Sequence, residues 1–411
     1  MPGPGLDLLG DEELAELTDV IHARRLSRYG PDDASFPAKV RSLEVEVCRR
    51  TGARFALGVN SGTSALLLAQ ASLGIGPGDE VIVPGFTFVA SISSIVYSGA
   101  RPVLAEVDDS FNLDPADVES KITPRTRAIV AVHMLGSPAR LNELRDIASR
   151  HGIALIEDAA QAFGATFEGR WLGTLGTVGI YSFNEFKTIT CGDGGMLVTD
   201  DESLYQRAFA MHDQGHSPNR KGVEVGSRPF LGLNFRMTEL SGAVLLAQLR
   251  RIDTIREHLV ANRDAARAII GTVPGIGFRR APDPAGDIAT HLVVTFPTPP
   301  AAAAIANELG SITLDVSGWH VYNHMEHLLA RRTATERGCP FDCPATDARP
   351  AEYHVGMLPQ TDALLARSIS FSIGVRDPNL APFGVTMRDG LDVTRQRAEA
   401  FRAAAARVLR G

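Results

Sequence analysis

From about residue 54 to 200 the chain alternates short apolar runs with longer amphipathic stretches. Residues 81–84, 102–107, 128–133 and 154–158 have the length and apolar content of buried strands. Between them, residues 61–73, 116–122 and 141–151 carry helical spacing, and Gly152 supplies a C-terminal stop for the last of these. Two further strand-like runs follow at 179–183 and 195–199. This alternation predicts an α/β fold with a mostly parallel or mixed sheet between two layers of helices. A long helical stretch from Glu239 to about Ile270 leaves that unit, and the Pro/Gly-rich segment from Val273 to Pro284 marks a boundary. The expected division is a large domain over 1–270 and a smaller C-terminal α+β domain over 271–411.

Composition narrows the class. The 411 residues carry a formal charge of −7, so no nucleic-acid footprint is expected. No run reaches the roughly 20 apolar residues needed to cross a bilayer. The N-terminus lacks the basic and apolar regions of a secretory signal, which gives a cytoplasmic expectation. Four cysteines do not suggest a disulfide framework. Cys339 and Cys343 follow His320, His324 and His327, but Cys-x3-Cys without a second pair is a weak zinc pattern, and no metal is expected.

Three features point to chemistry. Lys187 lies between Phe186 and Thr188-Ile189, ahead of Gly192-Asp193-Gly194-Gly195, unusual company for a solvated lysine. A desolvated lysine is a good nucleophile toward a carbonyl. Asp158 ends an apolar run, where it serves either as a helix cap or as the partner of a protonated pyridine nitrogen. Ser61-Gly62-Thr63 precedes a helical stretch, where backbone N–H groups and the Thr63 hydroxyl can receive a phosphate. In α/β sheets ligands gather where strands end and helices begin, and all three features sit there. Together they suggest pyridoxal 5′-phosphate (PLP), with Lys187 as the Schiff-base amine. Ser182 adds a hydroxyl for the phosphate, Phe88 an aromatic face for the ring, and Gln161 a cover for the other face or a donor to the ring hydroxyl. A nicotinamide enzyme fits poorly, because the Gly-rich segment at 74–78 follows a helix and precedes a strand.

These residues resemble the DegT/DnrJ/StrS family of sugar aminotransferases, fold type I PLP enzymes. The likeness runs through Asn60-Ser61-Gly62-Thr63, the stretch from Gly76 to Pro84, Phe86-Thr87-Phe88, Glu157-Asp158-Ala159-Ala160-Gln161, Ser182-Phe183-Asn184 with Lys187, and Leu233-Asn234-Phe235-Arg236-Met237-Thr238-Glu239. It covers roughly residues 10 to 260 and is looser beyond. The resemblance implies that Lys187 is the Schiff-base lysine and Asp158 the ring-nitrogen partner. It places Phe88 in the stacking position and Gln161 near the ring face, and gives the phosphate to Gly62, Thr63 and Ser182. Asn234 matches an asparagine that reaches a neighbouring subunit's phosphate, which implies a homodimer with shared sites. Members that dehydrate sugars have histidine in place of the lysine, so Lys187 argues for transamination.

The implied reaction moves an amino group from glutamate or glutamine to a keto or aldehyde sugar, or a cyclitol, in amino-sugar or antibiotic-sugar biosynthesis. Within the family, several stretches look most like the 8-amino-3,8-dideoxy-manno-octulosonate aminotransferases. His133, His320 and Tyr322 are the expected substrate contacts, with Trp319 and Asn323 beside them, while Arg28 or Arg236 can receive a donor carboxylate. Two alternatives stay open: a PLP enzyme of the same fold catalysing elimination or oxidation, and a non-catalytic PLP-binding regulatory protein.

Overall fold

The computed structural model describes residues 3–218, 228–335, 338–342 and 352–410. Seven strands build the larger sheet: β1 Phe55–Val59, β2 Glu80–Pro84, β3 Arg101–Ala105, β4 Thr126–Val132, β5 Ala154–Asp158, β6 Val178–Ser182 and β7 Gly195–Thr199. Their order across the sheet is β1-β7-β6-β5-β4-β2-β3. The five strands from β6 to β3 run parallel, and β7 lies antiparallel between β6 and β1.

The sheet is apolar on both faces because each strand alternates its side chains between two cores. Ile82, Ile129, Ala131 and Leu155 face one core, packed beneath the helices Lys39–Thr51 and Leu141–His151. Val81, Val83, Val130 and Ile156 face the other, with side chains from the helices Gly62–Ser72 and Val89–Tyr97. The expected strands and helices are all present, with ends shifted by at most two residues. Gly152 takes the left-handed conformation that ends its helix (φ 63°). The segment expected as one long helix is two, Glu239–Leu249 and Ile252–Ile270. Strand β1 and the N-terminal helix Asp11–Ala23 were not singled out by the sequence pattern.

A second sheet contains β8 Gly277–Phe278, β9 His291–Thr295, β10 Ser368–Ile373 and β11 Gly384–Val385. Helix Ile252–Ile270 packs against the C-terminal helix Leu391–Arg410 and against β9 and β10. From this side the segment after β9 returns to the larger sheet. The Thr87 N–H donates to the His320 carbonyl (2.9 Å), and the Tyr322 N–H donates to that of Gly85 (3.0 Å). These bonds hold residues 318–322 over the loop that follows β2.

Candidate active site

The carboxyl ends of β1, β2, β5 and β6 converge on one cleft of about 510 Å³. Gly62, Thr63, Phe88, Asp158, Gln161, Ser182, Lys187 and His320 all line it. Three expected residues are elsewhere. His133 is 0% exposed, with Nε2 at 3.1 Å from Glu157 Oε2 and Nδ1 accepting from the Ala139 N–H (3.1 Å). Tyr322 is also buried; its hydroxyl donates to Asp362 (2.9 Å) and accepts from the Leu358 N–H. Both side chains make framework bonds, and neither lines this cleft. Asn234 is exposed, outside the cleft lining, and its Oδ1 accepts from the Arg236 N–H (3.2 Å).

The anion end is the start of helix Gly62–Ser72. Ser61 caps it by accepting from the Ser64 N–H (3.0 Å), and Asn60 accepts from the Ser64 hydroxyl (2.6 Å). A helix start leaves its first N–H groups without intrahelical partners, so those of Gly62 and Thr63 can receive an anion. Ser182, at the end of β6, closes the cradle. A Cβ on Gly62 would lie 2.6 Å from Ser182 Cβ, so only glycine lets the serine come this close.

Asp158 and Glu157 show how strand alternation separates two neighbouring carboxylates. Glu157 faces into the protein, where it accepts from the Gly173, Leu175 and Gly176 N–H groups and meets His133; these partners hold its pKa below the usual carboxylate range against its burial. Asp158 faces the cleft. It is 4% exposed and accepts from Ser91 Oγ (2.7 Å) and the Ala160 N–H (3.1 Å), while the Ser91 and Thr87 hydroxyls lie 2.8 Å apart. Burial raises its pKa, which the hydrogen bonds and the Lys187 charge only partly oppose. Such a carboxylate gains most from a cationic partner. Ser91 was missed by sequence reasoning; it lies one helical turn beyond Thr87, a weak signal.

Lys187 lies in the loop after β6. Burial lowers its pKa, and the Asp158 and Asp377 charges partly offset this. Gln161 accepts from the Leu135 N–H (2.9 Å) through Oε1, which leaves its amide N–H groups for a ligand. Phe88 sits 5.4 Å from the His320 ring and 6.5 Å from the exposed Trp319 ring. Asp377 and Asn379, from beyond β10, complete the wall and carried no motif in the sequence.

Neither candidate arginine is free. Arg28 forms a bidentate pair with Glu44 (3.0 and 3.1 Å) and donates to the Gly58 carbonyl, and Arg236 pairs with buried Asp213. No cluster of metal-ligating side chains occurs among the described residues. Cys339 is disulfide-bonded, and Cys343 lies outside the described residues.

The donor set fits a phosphorylated, aldehyde-bearing aromatic ring: a phosphate cradle, an aromatic wall, a buried carboxylate and a buried primary amine.

Comparison with known proteins agrees with this geometry. Residues 7–316 match the DegT/DnrJ/EryC1/StrS aminotransferase family. GDP-perosamine synthase of Caulobacter vibrioides is 46% identical over 211 residues, a match spanning 51% of this chain and 55% of that protein, about half the length of each. Among solved structures, 3-amino-5-hydroxybenzoic acid synthase superposes with a TM-score of 0.78 at 28% identity, covering 98% of this chain and 99% of that one. DesV of S. venezuelae, solved with a ketimine intermediate, gives 0.76 at 30% identity, covering 98% and 99%. The fold is that of the PLP-dependent aminotransferases, and the chain belongs to the DegT/DnrJ/EryC1/StrS aminotransferase family.

Proposed function

We propose that this protein is a PLP-dependent aminotransferase that moves an amino group from glutamate or glutamine to a keto or aldehyde sugar, or a cyclitol. The pathway would be amino-sugar or antibiotic-sugar biosynthesis. One observation carries the reading: Lys187, Asp158 and the Gly62–Ser182 cradle, from separate strand ends, line one cleft. Bound there, PLP would supply an aldehyde and an electron-accepting ring. Asp158 would keep the ring nitrogen protonated, a role suited to a buried carboxylate lacking a full counter-charge. The Gly62 and Thr63 N–H groups, with the Thr63 and Ser182 hydroxyls, would anchor the phosphate, and Phe88 would cover one face. The Gln161 amide would donate to the ring hydroxyl. Lys187 Nζ, its ammonium form disfavoured by burial, would carry the proton taken from the donor Cα and return it on the cofactor side.

The acceptor side is the mouth formed by Trp319, His320, Asp377 and Asn379. Aromatic faces beside hydroxyl-binding side chains suit a polyhydroxylated carbonyl compound better than a small keto acid, and both arginines once considered for a carboxylate clamp are committed elsewhere. The relatives support the same reading: one is a GDP-perosamine synthase, another a 3-amino-5-hydroxybenzoic acid synthase.

The active unit would be a homodimer in the cytoplasm. Among the described residues no helix is long and apolar enough to cross a membrane. Asn234 sits outside its own cleft, beside the exposed Leu231 and Leu233, a placement suited to reaching a second copy.

Enzyme loaded with PLP and mixed with glutamate should yield 2-oxoglutarate stoichiometrically with active sites. The resulting form should regain its starting absorbance faster with a keto or aldehyde sugar than with pyruvate or oxaloacetate; faster recovery with the keto acids across a broad sugar panel would overturn the acceptor assignment. Mixing Lys187→Ala with Asn234→Ala subunits should restore part of the activity, and none in verified mixed dimers would overturn the shared site.

A further inference from the structure

Beside the cleft, on the side of the second sheet, lies a small cavity of about 40 Å³ lined by Lys187, Thr290, His291, His320, Asp377 and Gln161 among others. That is room for one or two water molecules. His291 opens β9 and is 6% exposed, and its Nε2 has no hydrogen-bond partner among the described residues. A buried imidazole nitrogen left unpaired costs stability, so it calls for a ligand.

The hydrogen bonds around His291 define what that ligand must be. Nδ1 lies 3.1 Å from Thr290 Oγ1, and that hydroxyl lies 3.4 Å from the Leu135 carbonyl. In the tautomer with the ring proton on Nδ1, Thr290 Oγ1 accepts from Nδ1–H and donates to Leu135, and a neutral ring carries no proton on Nε2. The ring is neutral in working conditions, because burial and, next, the Arg279 charge push its pKa down to about 3. In that tautomer Nε2 is a bare acceptor: it can take an ammonium or a water proton and cannot bind a carboxylate. Arg279 is itself committed to Asp287 (2.9 Å) and to the Met134 and Leu135 carbonyls.

We propose that His291 carries its proton on Nδ1 and that this cavity holds ordered water joining the bare Nε2 to the Lys187 amine, making His291 a positioning residue for the lysine's proton. A water that donates to Nε2 presents its lone pairs to Lys187, and that orientation favours the ammonium form. The other charged groups facing Lys187 are Asp158 and Asp377, which act in the same sense, and His320, which is held neutral by burial. The arrangement gives the Lys187 amine a fixed place to hold a proton in a cavity that Asp158 does not line. This role rests on Lys187 being the cofactor-bearing amine.

The test is made on cofactor-free full-length protein, so its failure and that of the cofactor assignment are separable. The pKa of Lys187 is read from the pH dependence of competitive acetylation, followed by peptide mass spectrometry. His291→Phe should lower it by about one unit, a tenfold change in proton affinity. His291→Gln, which keeps an acceptor, should recover at least half of that shift. An unchanged Lys187 pKa in His291→Phe, or equal shifts in both variants, would overturn the proposal. Should His291→Phe fail to fold, a high-resolution crystal structure of the wild type decides. Water within about 3.2 Å of Nε2 that also reaches Lys187 is expected, and a dry cavity overturns the idea.

Discussion

Replacing Asp158 by asparagine removes a charge while leaving almost every local bond intact. The Asn oxygen can keep the Ala160 N–H (3.1 Å in the native protein), and the new amide can donate to Ser91 Oγ where the carboxylate accepted from it (2.7 Å). Ser91 then turns its proton toward Thr87, 2.8 Å away, so the hydroxyl pair reverses direction without moving. The cofactor-free variant should therefore melt close to the wild type, within about 1 kcal/mol, the net worth of one hydrogen bond. Cofactor binding should respond differently. A hydrogen bond to a charged partner is worth about 1.5–3 kcal/mol, so PLP affinity should fall about ten- to a hundredfold. The half-reaction with glutamate should slow by more than that, because an unprotonated ring is a poorer electron sink. Thermal melts, a PLP titration by absorbance and a stopped-flow half-reaction separate the effects. Near-wild-type affinity and rate would refute the reasoning and reduce Asp158 to a cap on the Ala160 turn. A large drop in melting temperature would refute the claim that only the charge matters.

Gly62→Ala places a Cβ 2.6 Å from Ser182 Cβ, so the cradle must open. The preference for PLP over unphosphorylated pyridoxal should fall by at least about tenfold, the effect of roughly one charge-assisted bond, and an unchanged ratio of dissociation constants would contradict the cradle. His133→Ala removes the ring that meets Glu157 and leaves the Ala139 N–H unpaired, which should cost about 1–3 kcal/mol of stability, seen as a lower urea midpoint, while leaving the KM for the acceptor alone. A KM effect without a stability loss would return His133 to the substrate site. Burial holds His212, His291 and His320 down at about 3, 3 and 4. Unfolded histidines take up protons near pH 6.5, so this stabilisation is complete above that value and is lost as pH falls toward 4. Three protons give a slope of up to about 4 kcal/mol per pH unit, reduced by raised carboxyls such as Asp158 that act in the opposite sense; a urea midpoint flat from pH 7 to 5 would contradict it.

The larger sheet was legible because its strands are short, doubly buried and separated by helices with clear stops, such as Gly152. Strand β1 was not, because Phe55–Val59 is a brief antiparallel edge interrupted by Gly58, whose N–H bonds to Glu44 rather than advertising a strand. The cofactor half of the cleft was readable for a related reason: Gly62, Asp158 and Lys187 sit at strand ends in sequence contexts that demand special backbone or burial. The acceptor half was not. His133 and Tyr322 have the chemistry of substrate contacts, but their orientation depends on Glu157 and Asp362, partners 24 and 40 residues away. His291 belongs to, and Asp377 follows a strand of, a sheet whose strands are brief or widely separated in sequence, so no local pattern marks their approach to Lys187.

The central claim is that Lys187 carries the cofactor. Full-length protein is incubated with PLP, reduced with borohydride, digested and mapped by mass spectrometry. The account predicts a single phosphopyridoxyl adduct, on Lys187, that is absent from Lys187→Ala. A reduced adduct on another lysine, or no adduct at saturating PLP, would contradict it.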